Sequence, residues 1–126
     1  MCGIFGLITN NEDVPVAKLI REGLQRLEYR GYDSAGIALV NGDKIELEKE
    51  KGRIKDINEN GRFDNMQGKF GVGHTRWATH GAPSAKNSHP HLNCDETIAV
   101  VHNGIIENYQ DLRKQLKERG HELRSD

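Results

Sequence analysis

Cysteine is almost missing: two residues in 126, Cys2 and Cys94. That is too few for a disulfide framework. A secretion signal is missing as well. Met1-Cys2-Gly3-Ile4-Phe5-Gly6-Leu7-Ile8 has no basic leader and runs into Thr9-Asn10-Asn11-Glu12-Asp13, which is not the layout of a cleaved export segment. Both thiols are therefore expected to be reduced, in a cytoplasmic protein. No apolar stretch approaches the ~20 residues of a membrane span. Charge of one sign is not in excess either: 18 basic residues face 19 acidic ones, for a net charge of -1. A nucleic-acid or anionic-membrane surface needs a basic surplus, so neither partner is expected. Internal repeats, low-complexity tracts and Pro/Ser linkers are absent too.

What remains is a soluble, globular composition, 35% hydrophobic and 29% charged. The length suits one domain or a piece of a larger one with a modest core. Gly3 to Ile8 reads as a short buried strand. Asp13 is a candidate N-cap, with Pro15 in the first helical turn. Val16, Ile20, Leu24 and Leu27 then recur at helical spacing, Arg26 and Arg30 suit the C-terminal end of the dipole, and Gly31 supplies the stop. Ser34 to Val40 is apolar on both faces, as in a covered strand. Asn41-Gly42 signals a hairpin, and Ile45 and Leu47 alternate with Lys44, Glu46 and Glu48 in a returning strand with one wet face.

Ile54 and Ile57 mark a helical turn, and Gly61 to Gly68 a loop. Phe70 to Trp77 reads as a strand whose glycines, Gly71 and Gly73, imply close backbone approach. Gly81 to Asp95 is a long polar connection, usually a functional feature in a compact domain. Thr97 to Val101 is expected as a buried strand ending at His102-Asn103-Gly104. Asn108 is a candidate cap for a helix with Tyr109, Leu112 and Leu116 inward, Lys114, Lys117 and Arg119 late, and Gly120 as its stop. His121 to Asp126 starts an element that is not completed. The class is mixed α/β, strand-rich, with helices that each need a sheet to cover.

Cys2 has a particular chemical opportunity. Methionine aminopeptidases act when the second side chain is small, and their action would leave a thiol and a free α-amine on one residue. An α-amine ordinarily titrates near ~8 and a thiol near ~8.5. The amine can thus take the thiol proton, directly or through a water, with no separate histidine base. Taken alone, Cys2 reads more naturally as a small buried hydrophobe on a strand.

The blocks downstream change that balance. Met1-Cys2-Gly3-Ile4 is followed by Arg30-Gly31-Tyr32-Asp33-Ser34-Ala35-Gly36, then Gly73-His74-Thr75-Arg76-Trp77-Ala78-Thr79-His80-Gly81, Asn87-Ser88-His89-Pro90-His91, and His102-Asn103-Gly104-Ile105-Ile106-Glu107-Asn108-Tyr109. In this order they resemble the class II glutamine amidotransferases, which are N-terminal-nucleophile hydrolases. Tyr32, the Trp77 block and Ile105-Ile106-Glu107-Asn108 point to the sugar-aminotransferase branch. The resemblance implies an α/β fold, a four-layer αββα sandwich of which 1–126 would be roughly the first half. It implies hydrolysis of glutamine to glutamate and ammonia without a metal or organic cofactor. Sugar-isomerase domains, absent here, would use that ammonia to convert fructose-6-phosphate to glucosamine-6-phosphate. A full-length protein would be a homodimer or higher.

The resemblance also assigns roles. Cys2 matches the nucleophile that forms a γ-glutamyl thioester. Asn103, through its side-chain amide, and Gly104, through its N–H, match the oxyanion donors such chemistry needs. Arg76 matches the clamp on the substrate α-carboxylate, for which a planar guanidinium is suited. Trp77, Thr79 and His80 match the glutamine-covering loop. Arg30, Tyr32 and Asp33 are read as ordering the nucleophile segment, and His74 and His102 as structural hydrogen-bonders. The family's α-amine ligand, an Asp in a Thr-Asp-Thr-Glu segment, would begin after Asp126, and a retained Met1 would block the amine.

Three other readings stand beside this one. His89, His91 and Cys94, with His80, form an H-x-H-x2-C cluster on a polar loop, a composition zinc accepts although the spacing is not that of a standard finger. A papain-like hydrolase needs its Cys at a helix start with a distant His, which a chain-terminal Cys on a strand does not offer. An amidophosphoribosyltransferase-like glutaminase shares the chemistry and differs in the ammonia acceptor.

Overall fold

In the computed structural model, which describes residues 1–126, the chain runs β1 (Gly3–Ile8), α1 (Val16–Leu27), a 3-10 turn (Glu28–Arg30), β2 (Ser34–Asn41), β3 (Lys44–Lys51), α2 (Ile54–Ile57), β4 (Phe70–Arg76), β5 (His91–Leu92), β6 (Ala99–Val100) and α3 (Tyr109–Glu118). Four strands form one antiparallel sheet in the order β1-β4-β2-β3, and β5 pairs with β6 in a separate ribbon. The hairpin between β2 and β3 turns through Gly42 and Asp43, because Asn41 is already paired with Lys44. No helix is long and apolar enough to cross a membrane.

Helix α1 buries Val16, Ala17, Ile20 and Leu24 on one face of the sheet. Opposite them lie Ala35, Ile37 and Leu39 of β2, with Phe5 and Leu7 of β1 at the edge. Each fully buried Leu or Ile here contributes roughly 1.5–3 kcal/mol. The register sets Gly73 between Ile37 and Phe5. A Cβ on Gly73 would lie 2.6 Å from Leu24 Cδ1 and 2.7 Å from Ile20 Cγ2, so this glycine is what lets the helix sit against the central strand.

The loop expected at Gly61–Gly68 is irregular but not free. Phe63 and Met66 are buried in the same core. Arg21 donates from Nε and Nη2 to both oxygens of Asp64 at 2.9 and 3.0 Å, and its hydrogen bond holds that carboxyl below the usual carboxylate range. The Asn58 side-chain oxygen accepts from the N–H groups of Phe63 and Asp64.

The acidic side chains of β3, Glu46, Glu48 and Glu50, lie on the α1 side. Glu48 and Glu50 pair with Arg62 at 2.5 and 3.4 Å, while Ile45 and Leu47 share the opposite face with Ala38 and Val40. That second face carries Phe70, Val72 and His74 of β4 and Ile4 and Ile8 of β1. Residues 87–91 cover it only at the His74 end.

Several expectations need correction. Asp13 does not cap α1; the helix starts behind Pro15 without a side-chain cap, and the Asp13 N–H donates to Asn11 Oδ1. β1 is an edge strand, not a buried one, with Ile4 and Ile8 exposed. Trp77 falls outside β4. The strand expected at Thr97–Val101 shrinks to Ala99–Val100, and Ile98 and Val100 are exposed, because its only partner is the two-residue β5. Asn108 makes no side-chain cap, and Tyr109, Leu112 and Leu116 face solvent, since no sheet lies beneath α3. Gly120 does end that helix: its N–H donates to Lys117 O and the His121 N–H to Leu116 O, the paired bonds of a Schellman stop.

Candidate active site around Cys2

The N-terminal segment is threaded between the 3-10 turn and the end of β4. The Gly3 N–H donates to Thr75 Oγ1 at 3.1 Å. One residue earlier, the half-buried Cys2 presents Sγ to the Trp77 N–H at 3.4 Å. The terminal amine on Met1 donates to Arg30 O at 2.7 Å, and Arg30 Nη2 reaches Met1 Sδ at 3.7 Å. Arg30 Nε is buried with no partner.

Asp33 ties this region together. Its N–H donates to Arg76 O at 2.9 Å, and its carbonyl accepts from Gly52 N–H at 2.9 Å. Its carboxylate accepts from the Ser34 hydroxyl at 2.9 Å and from the Ala78 N–H. The residue preceding β2 thereby holds the 76–78 segment on which the thiol rests. Gly31 packs under Trp77, where a Cβ would stand 2.6 Å from Trp77 Cβ. Tyr32 touches Arg53 instead: Arg53 Nη2 donates to its hydroxyl at 2.7 Å, with the guanidinium 4.4 Å from the ring centre.

Arg76 is 9% exposed. Its guanidinium donates to three backbone carbonyls, those of His80, Gly81 (3.4 Å) and Ala82 (3.3 Å). No carboxylate pairs with it, so a nearly buried cation is satisfied by dipoles alone. The turn it gathers leaves Trp77, Thr79 and His80 exposed, with His80 Nδ1 3.2 Å from Thr79 Oγ1.

Asn103 and Gly104 are exposed and make no hydrogen bond to Cys2 or its neighbours. The three atoms nearest a Cβ on Gly104 all belong to the His102 ring. The 102–104 segment is held through the His102 N–H, which donates to His89 Nδ1 at 3.3 Å.

Three histidines from two sequence blocks form one cluster. His89 stacks on His74 at 4.6 Å between ring centres and meets His91 edge-on at 4.5 Å. Burial, aided by neighbouring cationic groups, pushes His74 down to about 3 and His89 and His91 to about 4. The rings are therefore neutral near pH 7. The sequence marks His74 as a structural hydrogen-bonder, but neither of its ring nitrogens has an aligned partner. The available signal was that the Gly73 block and the Asn87 block each carry histidines. Only the fold shows that they meet.

The zinc reading fails on geometry. No group of three His, Cys, Asp or Glu side chains is placed to hold a metal. Cys94, exposed, faces His121 Nδ1 at 3.4 Å rather than His89 or His91. A crevice of about 430 Å³ lies away from Cys2, between Val40, Phe70 and Val72 on the sheet and Thr97–Ala99. Its walls are mainly apolar and hold neither cysteine.

Comparison with known proteins follows the same lines. The glutamine amidotransferase domain family matches residues 60–126. The whole chain is 53% identical to glutamine–fructose-6-phosphate aminotransferase [isomerizing] of Clostridium perfringens, covering 20% of that protein. It is 50% identical to the enzyme of the same name from Pyrobaculum aerophilum, covering 21%. The chain thus spans about a fifth of the length of these relatives. Among solved structures, glutamine phosphoribosylpyrophosphate amidotransferase from B. subtilis, complexed with ADP and GMP, superposes with a TM-score of 0.74 at 31% identity over 93% of this chain and 25% of its own. A second structure, described as the allosteric regulatory enzyme of purine biosynthesis, gives 0.77 at 32% identity over the same shares.

Proposed function

Because the chain belongs to the class II glutamine amidotransferase family and has its N-terminal-nucleophile fold, we propose that it hydrolyses glutamine to glutamate and ammonia through Cys2. The observation that carries this reading is the position of Cys2. Its thiol rests on the Trp77 N–H at the end of the central strand, one residue from a chain terminus held by Arg30 O. Removal of Met1 would put the α-amine on the same residue as the sulfur. The amine takes the thiol proton, sulfur attacks the glutamine amide carbon, and ammonia departs with the proton returned. Water then cleaves the thioester.

Arg76 supplies a positive charge that no side chain neutralises, and the α-carboxylate of glutamine is the counter-ion it lacks. Trp77, Thr79 and His80 lie on the turn that Arg76 gathers, where they would cover the bound substrate. Asn103 and Gly104 would donate to the oxyanion. Arg30 and Asp33 order the nucleophile segment, with Tyr32 and Arg53 behind them. Residues 1–126 are read as the glutamine-handling part of a cytoplasmic enzyme. By analogy with the relatives' name, fructose-6-phosphate would receive the ammonia, through sugar-isomerase domains outside these residues, in a protein that assembles as a homodimer or larger. The superposition on a phosphoribosylpyrophosphate amidotransferase keeps the other acceptor as the second reading.

The test is made on the protein as its native gene expresses it. Intact mass is expected to show Met1 removed, Cys2→Ala to abolish ammonia release from glutamine, and a glutamine-like electrophile to label Cys2 and spare Cys94. Retained turnover in Cys2→Ala, or an active enzyme that keeps Met1, would overturn the assignment.

A further inference from the structure

The strap of residues 87–91 crosses the second face of the sheet, and three contacts seat it there. Lys49 Nζ donates to Ser88 O at 2.8 Å. A Cβ on Gly36 would lie 2.3 Å from His89 O, so β2 carries a glycine where the strap crosses it. The His89 ring lies on His74, which β4 holds two residues before Arg76. Asn87 and Ser88 are buried, and the Ser88 hydroxyl is turned inward to Ala85 O at 2.7 Å. From this seat His89 reaches the other way as well, where its Nδ1 accepts the His102 N–H at 3.3 Å.

We propose that His89 is a positioning residue that joins the strand bearing the nucleophile's support to the segment bearing Asn103 and Gly104, and so sets the distance between thiol and oxyanion donors. This rests on the glutaminase reading given above. The nucleophile is referenced to β4 through Trp77, and His89 is referenced to the same strand through His74. Beyond the hydrogen bond to His89, the 102–104 segment has the His74 ring near the His102 backbone; β6 is two residues long and pairs only with the equally short β5, and both Asn103 and Gly104 are exposed. An acceptor at Nδ1 requires a neutral ring with its proton on Nε2. The surroundings enforce the neutral state. His74 and Arg76 on β4, Lys49 on β3, His91 on the strap and His102 on the held segment all face the cluster, and none carries negative charge. Protonation would remove the acceptor and set a cation against Arg76 and Lys49.

Asparagine can place its side-chain oxygen where His89 Nδ1 stands, glutamine places it near Nε2, and leucine offers no acceptor. In the natively expressed enzyme, His89→Leu is expected to lower kcat by about tenfold to a hundredfold, short of the loss seen when an oxyanion donor itself is removed, with KM for glutamine changed by less than about twofold. His89→Asn is expected to restore most of kcat, and His89→Gln is not. Should His89→Leu fail to fold, the contrast between the two amides decides. Equal activity of His89→Asn and His89→Gln, or a loss that falls on KM, overturns the proposal. Cys2→Ala in the same assay separates the two failures: if it abolishes turnover while His89→Leu matches the wild type, only the positioning role falls. If it retains turnover, the glutaminase reading falls first.

Discussion

Arg76 presents the sharpest local imbalance in the molecule. A guanidinium taken out of water loses hydration that carbonyl dipoles replace only in part, and the carbonyls of His80, Gly81 and Ala82 are its only partners. An arriving carboxylate would complete the site. Arg76→Ala is therefore expected to raise KM for glutamine by roughly tenfold or more, since a charge-assisted hydrogen bond is worth about 1.5–3 kcal/mol, while affinity for the ammonia acceptor changes little. Steady-state kinetics with each substrate varied in turn measures this, and an unchanged glutamine KM would refute the clamp. Arg76→Lys keeps the charge but not the planar fork, so its KM should lie between. At this scale Cys2, Arg76 and Asp33 were visible in the motifs. The fit of Gly31 under Trp77 was not, because a contact across 46 positions leaves no local pattern.

Among the elements, α1 and β4 matched their sequence signals most closely. The spacing of Val16, Ile20 and Leu24 put one helical face on the sheet, and the glycines of β4 marked its close approach. Leu24→Ala deletes a fully buried side chain wedged over Gly73. It is expected to cost about 2–5 kcal/mol of unfolding free energy, read from denaturant titration. A loss below about 1 kcal/mol would mean that the helix is not seated as described. The weaker signals misled where an element's partner decides its burial. Ala99–Val100 and α3 carry the apolar residues of covered elements, yet their apolar faces meet solvent. Of the four layers expected, α1, the four-stranded sheet and the short β5-β6 ribbon are in place.

For the whole molecule, the histidine cluster ties folding to pH. In an unfolded chain these rings titrate near 6.5, whereas in the fold they sit at about 3 for His74 and about 4 for His89 and His91. Between those limits the unfolded state binds more protons, so stability must fall as pH falls. It is full above about 6.5 and declines from there toward pH 4, with uptake of more than one proton on unfolding. His74→Leu, which removes a ring with two unpartnered buried nitrogens, should flatten that decline. Unfolding free energy measured between pH 7 and pH 4 tests it. A wild-type profile with no slope, or a variant with the same slope as the wild type, would show that the cluster does not control acid stability.

The order of chemical blocks along the chain was determined by the sequence alone, as were the helical face of α1, the hairpin at Asn41–Lys44 and the family to which the chain belongs. These are local or linear properties: a period, a turn residue, a run of motif letters. Tertiary structure alone decided that Arg76 meets the carbonyls of its own loop and no carboxylate, that Cys94 faces His121, and that three histidines from two distant blocks stack into one neutral cluster. The physical reason is that burial and charge environment are set by what folds against a residue. A side chain's neighbours in sequence do not say whether water, a carbonyl or another ring will lie on its far side.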